Sequence, residues 1–239
     1  MADPRNILIT GAARGIGRAM ALHLAGPERR LLLHYHASRA EAETLAQEVE
    51  AAGATPELLQ ADLALSAERE ALMDRVGQSA PALHVLINNA GVYDGRGLLE
   101  FSPEDWQRIF EVGCTAMFHL TSRAVPLLRA GAPARVINLG DSGNDRVIAR
   151  PTATPYHIAK LGVHVLTRSY AKLLAADGIT VNQISPGFLE NSEGEPGTPP
   201  PAGREGRFSD LLPALDYLLS PEADYVAGAN IVVAGGWNL

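Results

Sequence analysis

Thr10-Gly11-Ala12-Ala13-Arg14-Gly15-Ile16-Gly17 decides how this chain is read. An apolar run, Asn6–Thr10, leads into it, and a segment of helical period, Arg14–Ala25, leads out. Glycines at a strand-to-helix turn allow a tight bend and a close backbone approach to a pyrophosphate. The first turn of the helix adds free N–H groups and a partial positive charge. A glycine cluster alone says little, but one placed between a strand and a helix points to a dinucleotide site.

The rest of the chain repeats the same unit. Apolar runs of strand length occur at Asn6–Thr10, Arg30–His36, Pro56–Ala61, Leu83–Asn88, Ala134–Gly140, Thr180–Ser185 and Asn230–Ala234. Between them lie helical patterns at Arg14–Ala25, Arg39–Ala52, Ser66–Gly77, Pro103–Leu128, Thr154–Ala176 and Ser209–Leu219. Continuous apolar strands alternating with amphipathic helices imply a parallel sheet covered on both faces. Right-handed crossovers then make it an α/β, Rossmann-type, doubly wound sheet of about seven strands. No repeat and no interdomain linker interrupts residues 1–239, so one domain is expected. The exception to the rhythm is Glu190–Phe208, rich in Gly, Pro and Glu, which reads as a loop over about 188–208 of the kind that is either functional or disordered.

Bulk properties narrow the classes. The 239 residues, 46% hydrophobic, suffice for one large core. A net charge of -7 argues against a nucleic-acid footprint and against attachment to an anionic membrane. The single cysteine, Cys114, cannot form an internal disulfide. No signal-peptide pattern and no bilayer-length apolar run is present, so a cytoplasmic protein is expected. The histidines His84, His119 and His164 lack metal-ligand spacing, and no metal site is expected.

Coenzyme choice is read from the second strand. An acidic residue at its end would grip the ribose 2′-OH of NAD. Here the strand ends His34-Tyr35-His36-Ala37-Ser38-Arg39 without an acid, and Arg14 projects from the glycine turn. Cations and hydroxyls suit a 2′-phosphate, so NADP(H) is expected, with His34, His36, Ser38, Arg39 and Arg14 around it. Asp62, in Ala61-Asp62-Leu63, can accept a hydrogen bond from adenine or cap a helix. Asn88-Asn89-Ala90-Gly91 ends the fourth strand, where a parallel sheet binds its ligand. Tyr156 and Lys160 stand at i and i+4, on one helical face. A nearby ammonium lowers a phenol's pKa and fits it for acid–base work.

Thr10–Gly17, Asn88–Gly91, Tyr156/Lys160 and Ser185-Pro186-Gly187 occur in this order, each at a strand end or on the following helix. Together they resemble the short-chain dehydrogenase/reductase family, over nearly the whole chain to Ala234-Gly235-Gly236-Trp237. The resemblance implies that Tyr156 protonates the substrate and that Lys160 binds the nicotinamide ribose. It implies Gly11, Arg14 and Ile16 near the phosphates and Asp62 and Leu63 near adenine. Asn88, Ala90 and Gly91 would line the adenosine and ribose, and Pro186 and Gly187 the nicotinamide. It also implies a homotetramer built through Pro103–Leu128 and Thr154–Ala176.

Two positions depart from that family's pattern. The serine usually found before the tyrosine is replaced by Asp141, with Ser142 one step later, and either could fill the role. The asparagine usually found in the long helix, part of a proton relay to the lysine, is Gly113. Asp141, the stretch His34–Ser38 and Tyr93, at the position of a pterin-stacking aromatic, resemble the pteridine reductase branch. Gly91, where that branch carries serine, does not. Three functions follow: NADPH-dependent reduction of a dihydropterin or dihydrofolate, with Tyr93, Asp141 and Tyr156 at the substrate; reduction of a 3-oxoacyl group on acyl carrier protein, with Arg123 and Arg129 receiving the carrier; and a non-catalytic NADP(H) sensor.

Overall fold

The computed structural model describes residues 5–190, 192 and 200–237. The apolar runs become β1 (Arg5–Ile9), β2 (Arg29–Tyr35), β3 (Thr55–Gln60), β4 (Val85–Asn88), β5 (Ala134–Leu139), β6 (Ile179–Pro186) and β7 (Asn230–Val233). They form one sheet in the order β3-β2-β1-β4-β5-β6-β7, and every pairing is parallel. From β1 the chain winds outward through β2 to β3, then returns to the other side of β1 for β4. The crossovers on the two sides diverge between β1 and β4, which opens a crevice at their carboxyl ends.

The helices are α1 (Gly15–Leu24), α2 (Arg39–Ala51), α3 (Ser66–Ser79), α4 (Pro103–Phe110), α5 (Ala116–Ala130), α6 (Thr154–Leu174) and α7 (Leu212–Leu219). Successive strand residues point to opposite faces, so the strands β1 to β6 feed two cores. Leu8, Leu86, Val136 and Val181 pack with Leu72, Leu120 and Val163 of α3, α5 and α6. Ile7, Ile9, Ile137 and Ile184 pack with Met20, Leu45 and Leu215 of α1, α2 and α7. Burial on both faces explains why these strands read as unbroken apolar runs rather than as alternations.

The expected helix Pro103–Leu128 is not continuous. It starts at a capping box, in which Ser102 accepts from the Asp105 N–H and Asp105 reaches back to the Ser102 N–H. A single π-helical turn, Glu111–Thr115, then separates α4 from α5. Gly113 lies in that turn, where a Cβ would come within 3.4 Å of the Ala159 Cβ on α6. The extra residue of a π turn kinks the helix, and here the kink is present without the family's asparagine.

The ends of the 188–208 loop are tied together. The Glu190 N–H donates to the Gly206 carbonyl at 2.8 Å, and the Phe208 N–H donates to Glu190 Oε1 at 2.9 Å. Its Gly194, Pro196, Gly197 and Pro199 lie outside the described residues. Among the described residues no helix is long and apolar enough to cross a membrane, and no cluster of His, Cys, Asp or Glu could hold a metal ion.

Candidate active site

The crevice between β1 and β4 is a cleft of about 590 Å³, walled by the glycine turn, the end of β2, Asp62 and Leu63, and the turn Asn89–Val92. Gly11 has a φ of 63°, and a Cβ there would lie 3.1 Å from the Ala90 Cα, so the two turns meet only because residue 11 is glycine. Gly17 is more constrained: a Cβ would fall 2.3 Å from the Gly11 carbonyl oxygen. Arg14 caps α1 with no side-chain hydrogen bond, and no acid lies in the first turn. An uncapped, acid-free helix N-terminus facing a cleft fits a pyrophosphate. Ile16 packs into the core beneath.

The residues at the end of β2 divide. His36, Ser38 and Arg14 line the cleft. His34 also borders it, but its role as a cation is corrected. It is 2% exposed; Nδ1 accepts from the Gly11 N–H at 3.1 Å, while Nε2 lies 3.0 Å from the Ala61 carbonyl. One nitrogen must accept and the other donate, so the ring is the neutral Nε2–H tautomer. Burial pushes its pKa down to about 4. His34 therefore splints the glycine turn to β3. Arg39 is turned away onto Glu43, 2.8 Å distant along α2, and is not part of the cleft wall.

Asp62 is held by three neighbours. Its Oδ1 accepts from the Ala64 N–H at 2.9 Å, and Oδ2 lies 3.1 Å from Arg108 Nη1 and 3.6 Å from His36 Nε2. The Ala64 N–H and Arg108 keep its carboxyl below the usual range despite partial desolvation. Arg108, on α4, lines the cleft and was missed from sequence, because nothing local links it to a site 46 residues away.

Asn88 is corrected as well. Its side chain is buried and donates to Thr121 Oγ1 and Asn138 Oδ1, away from the cleft. The neighbouring Asn89 lines the cleft instead. Its Nδ2 donates to the carbonyls of Thr10 and Gly11 at 2.9 and 3.0 Å. The strand's period of two decides this: adjacent residues must face opposite ways. Pro186 ends β6, and the Gly187 N–H bonds the Val233 carbonyl, so both stand at the carboxyl edge of the sheet.

Tyr156 and Lys160 share one face of α6, with the Lys160 Nζ 5.7 Å from the phenol ring centre. Lys160 is buried, donates to the Leu139 carbonyl at 2.6 Å, and would lie 3.7 Å from a Cβ at Gly91. Burial pushes its amine down to about 8, opposed by Asp141 and Cys114. The expected lowering of the tyrosine pKa does not appear: burial pushes the phenol up, and Asp141 and Tyr93 push it the same way. Desolvation outweighs an ammonium at this distance. The phenol is therefore protonated at neutral pH, the state a proton donor needs.

A pH profile follows from Lys160. Its ammonium persists below about 8 and is lost above it, so kcat/KM for reduction is expected to fall as pH rises through about 8. The sign for stability is opposite. Between about 8 and 10.5 the unfolded chain binds the proton better, so the free protein gains stability as pH rises across that window. Thermal melts of the coenzyme-free protein at pH 7.5 and 9.5 check this.

Asp141 faces the same space. Its Oδ2 lies 3.6 Å from His157 Nδ1, and its charge acts on both Tyr156 and Lys160. Ser142 is buried, and its N–H donates to the Pro186 carbonyl at 3.0 Å. Tyr93 stands edge-on to Tyr156, ring centres 5.1 Å apart, and is half exposed. Tertiary structure thus gathers Asp141, Tyr156, Lys160 and Tyr93 beside the dinucleotide cleft.

The family model described as Enoyl-(Acyl carrier protein) reductase matches residues 11–238. The chain is 31% identical over 241 residues to the 3-oxoacyl-[acyl-carrier-protein] reductase FabG of Staphylococcus aureus, covering 97% of both chains. Among solved structures it resembles a blue fluorescent protein from a metagenomic library in complex with NADPH, at a TM-score of 0.89 and 28% identity, with 98% of each chain covered. A Serratia marcescens short-chain dehydrogenase/reductase superposes at a TM-score of 0.88 and 27% identity, again over 98% of both chains. With its glycine turn at the β1/β4 switch point and its Tyr156/Lys160 pair, the chain belongs to the short-chain dehydrogenase/reductase family of oxidoreductases.

Proposed function

We propose that this protein is an NADPH-dependent reductase of a C=N bond in a flat nitrogen heterocycle of the dihydropterin or dihydrofolate type. The coenzyme assignment rests on the uncapped start of α1, on Arg14, His36 and Ser38 in the cleft, and on the lack of an acid at the end of β2. The NADPH-bound relative of the same fold supports it. When bound, NADPH supplies the hydride; Lys160 holds a positive charge under the cleft and Tyr156 holds the proton. Arg14→Ala is expected to raise the KM for NADPH about tenfold, the scale of one charge-assisted hydrogen bond, and to leave the KM for NADH nearly unchanged.

The observation that carries the substrate reading is the Asp141 carboxylate beside Tyr156. An ionised carboxylate accepts hydrogen bonds and cannot donate them. A ketone oxygen gains negative charge during reduction and would be repelled by it, whereas an amino-substituted heterocycle presents N–H donors to it. Tyr93 adds a flat aromatic wall on the same side. Hydride to carbon and a proton to nitrogen complete the reduction.

A second reading, reduction of a 3-oxoacyl thioester, is favoured by the FabG relative. Against it, Arg123 is paired with Glu70 and Asp74, and Arg129 with Asp177, so neither arginine is uncommitted for an acidic carrier. NADPH oxidation measured with dihydrobiopterin, dihydrofolate and acetoacetyl thioesters separates the two. Turnover of the thioesters alone would reject the heterocycle reading.

A further inference from the structure

Gly113 leaves the π turn beside Ala159 without the side chain that the family pattern places there, so the site needs another way to recover a proton after each turnover. His157 occupies the position to provide one. It follows Tyr156 on α6 and sets its ring edge-on to the phenol at 5.4 Å. Its Nδ1 is 3.6 Å from Asp141 Oδ2, a gap that a small side-chain rotation closes to a hydrogen bond. On its other side the ring lines a separate groove of about 500 Å³, formed with Asn144, Ile148, Pro151 and Ile158. His157 is thus a shared wall, with Asp141 and Tyr156 on one side and solvent on the other. The wall is braced: the Leu98 N–H bonds the Pro151 carbonyl and the Ala153 N–H bonds the Arg96 carbonyl, both at 2.9 Å.

We propose that His157 is a proton relay, taking a proton from solvent in the groove and passing it to Asp141, which returns it to Tyr156. The proposal rests on Tyr156 as the proton donor, but not on the identity of the substrate. Per turnover, the substrate carbon gains the hydride, the substrate nitrogen or oxygen gains the phenol proton, and the phenolate regains one proton drawn from solvent through His157 and Asp141. The imidazole is faced by Asp141 after β5 and by Tyr156 on α6, with Arg146 and Arg150 in the groove wall; beyond Tyr156 lie Tyr93 and Lys160, and Cys114 of the π turn acts on Lys160. Asp141, which accepts from the Gly143 N–H, is held by the backbone for this role.

The test uses His157→Phe, which keeps a ring against Tyr156, and His157→Gln, which keeps a polar contact to Asp141 but cannot relay. Both are expected to lower kcat about 10- to 100-fold, to leave the Kd for NADPH unchanged, and to regain rate when imidazole is added to the medium. The ¹⁵N resonance of His157 Nδ1 should also move on Asp141→Asn. A His157→Gln variant with wild-type kcat, a loss that imidazole does not restore, or an unmoved resonance would overturn the relay. If wild-type protein reduces neither dihydropterin, the substrate reading fails instead, and the same variants are measured with the acetoacetyl thioester.

Discussion

Tyr156→Phe is expected to abolish reduction, lowering kcat by about 10²–10⁴-fold while NADPH binds as before. The substitution removes one oxygen from a ring wedged between Tyr93 and His157, so both edge contacts and the packing of α6 persist. Only the proton donor is lost. Desolvated as it is, the phenol remains protonated across the neutral range. Stopped-flow NADPH oxidation together with fluorescence titration of the coenzyme separates chemistry from binding. Unchanged turnover would mean that the tyrosine is not the donor. If no property of the protein responded, a coenzyme sensor would become the better description.

Asp141→Asn is expected to have the next largest effect, and its effect should depend on the substrate. With a dihydropterin, replacing the carboxylate by an amide removes the charged acceptor for the ring N–H groups, and kcat/KM should fall about 10²-fold, or roughly 3 kcal/mol. With an acetoacetyl thioester the same change also interrupts the route from His157 but removes a repulsive charge and adds a donor, so the loss should be clearly smaller than with the dihydropterin. Ser142→Ala is the control. Ser142 is buried and its N–H is bonded to the Pro186 carbonyl, a contact that alanine retains. A larger loss from Ser142→Ala than from Asp141→Asn would reverse the assignment and favour the thioester.

Much of the site was legible because its signals are local. Glycines between a strand and a helix, and a Tyr/Lys pair at i and i+4, carry their geometry within a few residues. Asn88 and Asn89 show where that legibility stops. Both stand at a strand end, and only the register of β4 against β1 decides which one turns to the cleft. Arg108 could not be assigned from sequence because its contact to Asp62 spans 46 positions. His34 reads as a cation until its two nitrogens are seen bonded to Gly11 and Ala61, which leaves it neutral.

The order of apolar runs and helical patterns was enough to establish a doubly wound sheet, its switch point and the family, since the hydrophobic period and the glycine turn act over short range. Tertiary structure alone decided the protonation states and the partners. Burial raised Tyr156 and lowered Lys160, the π turn placed Gly113 against Ala159, and the fold set His157 between Asp141 and solvent. Desolvation and long-range contacts depend on what surrounds a residue in space, and no spacing along the chain encodes that.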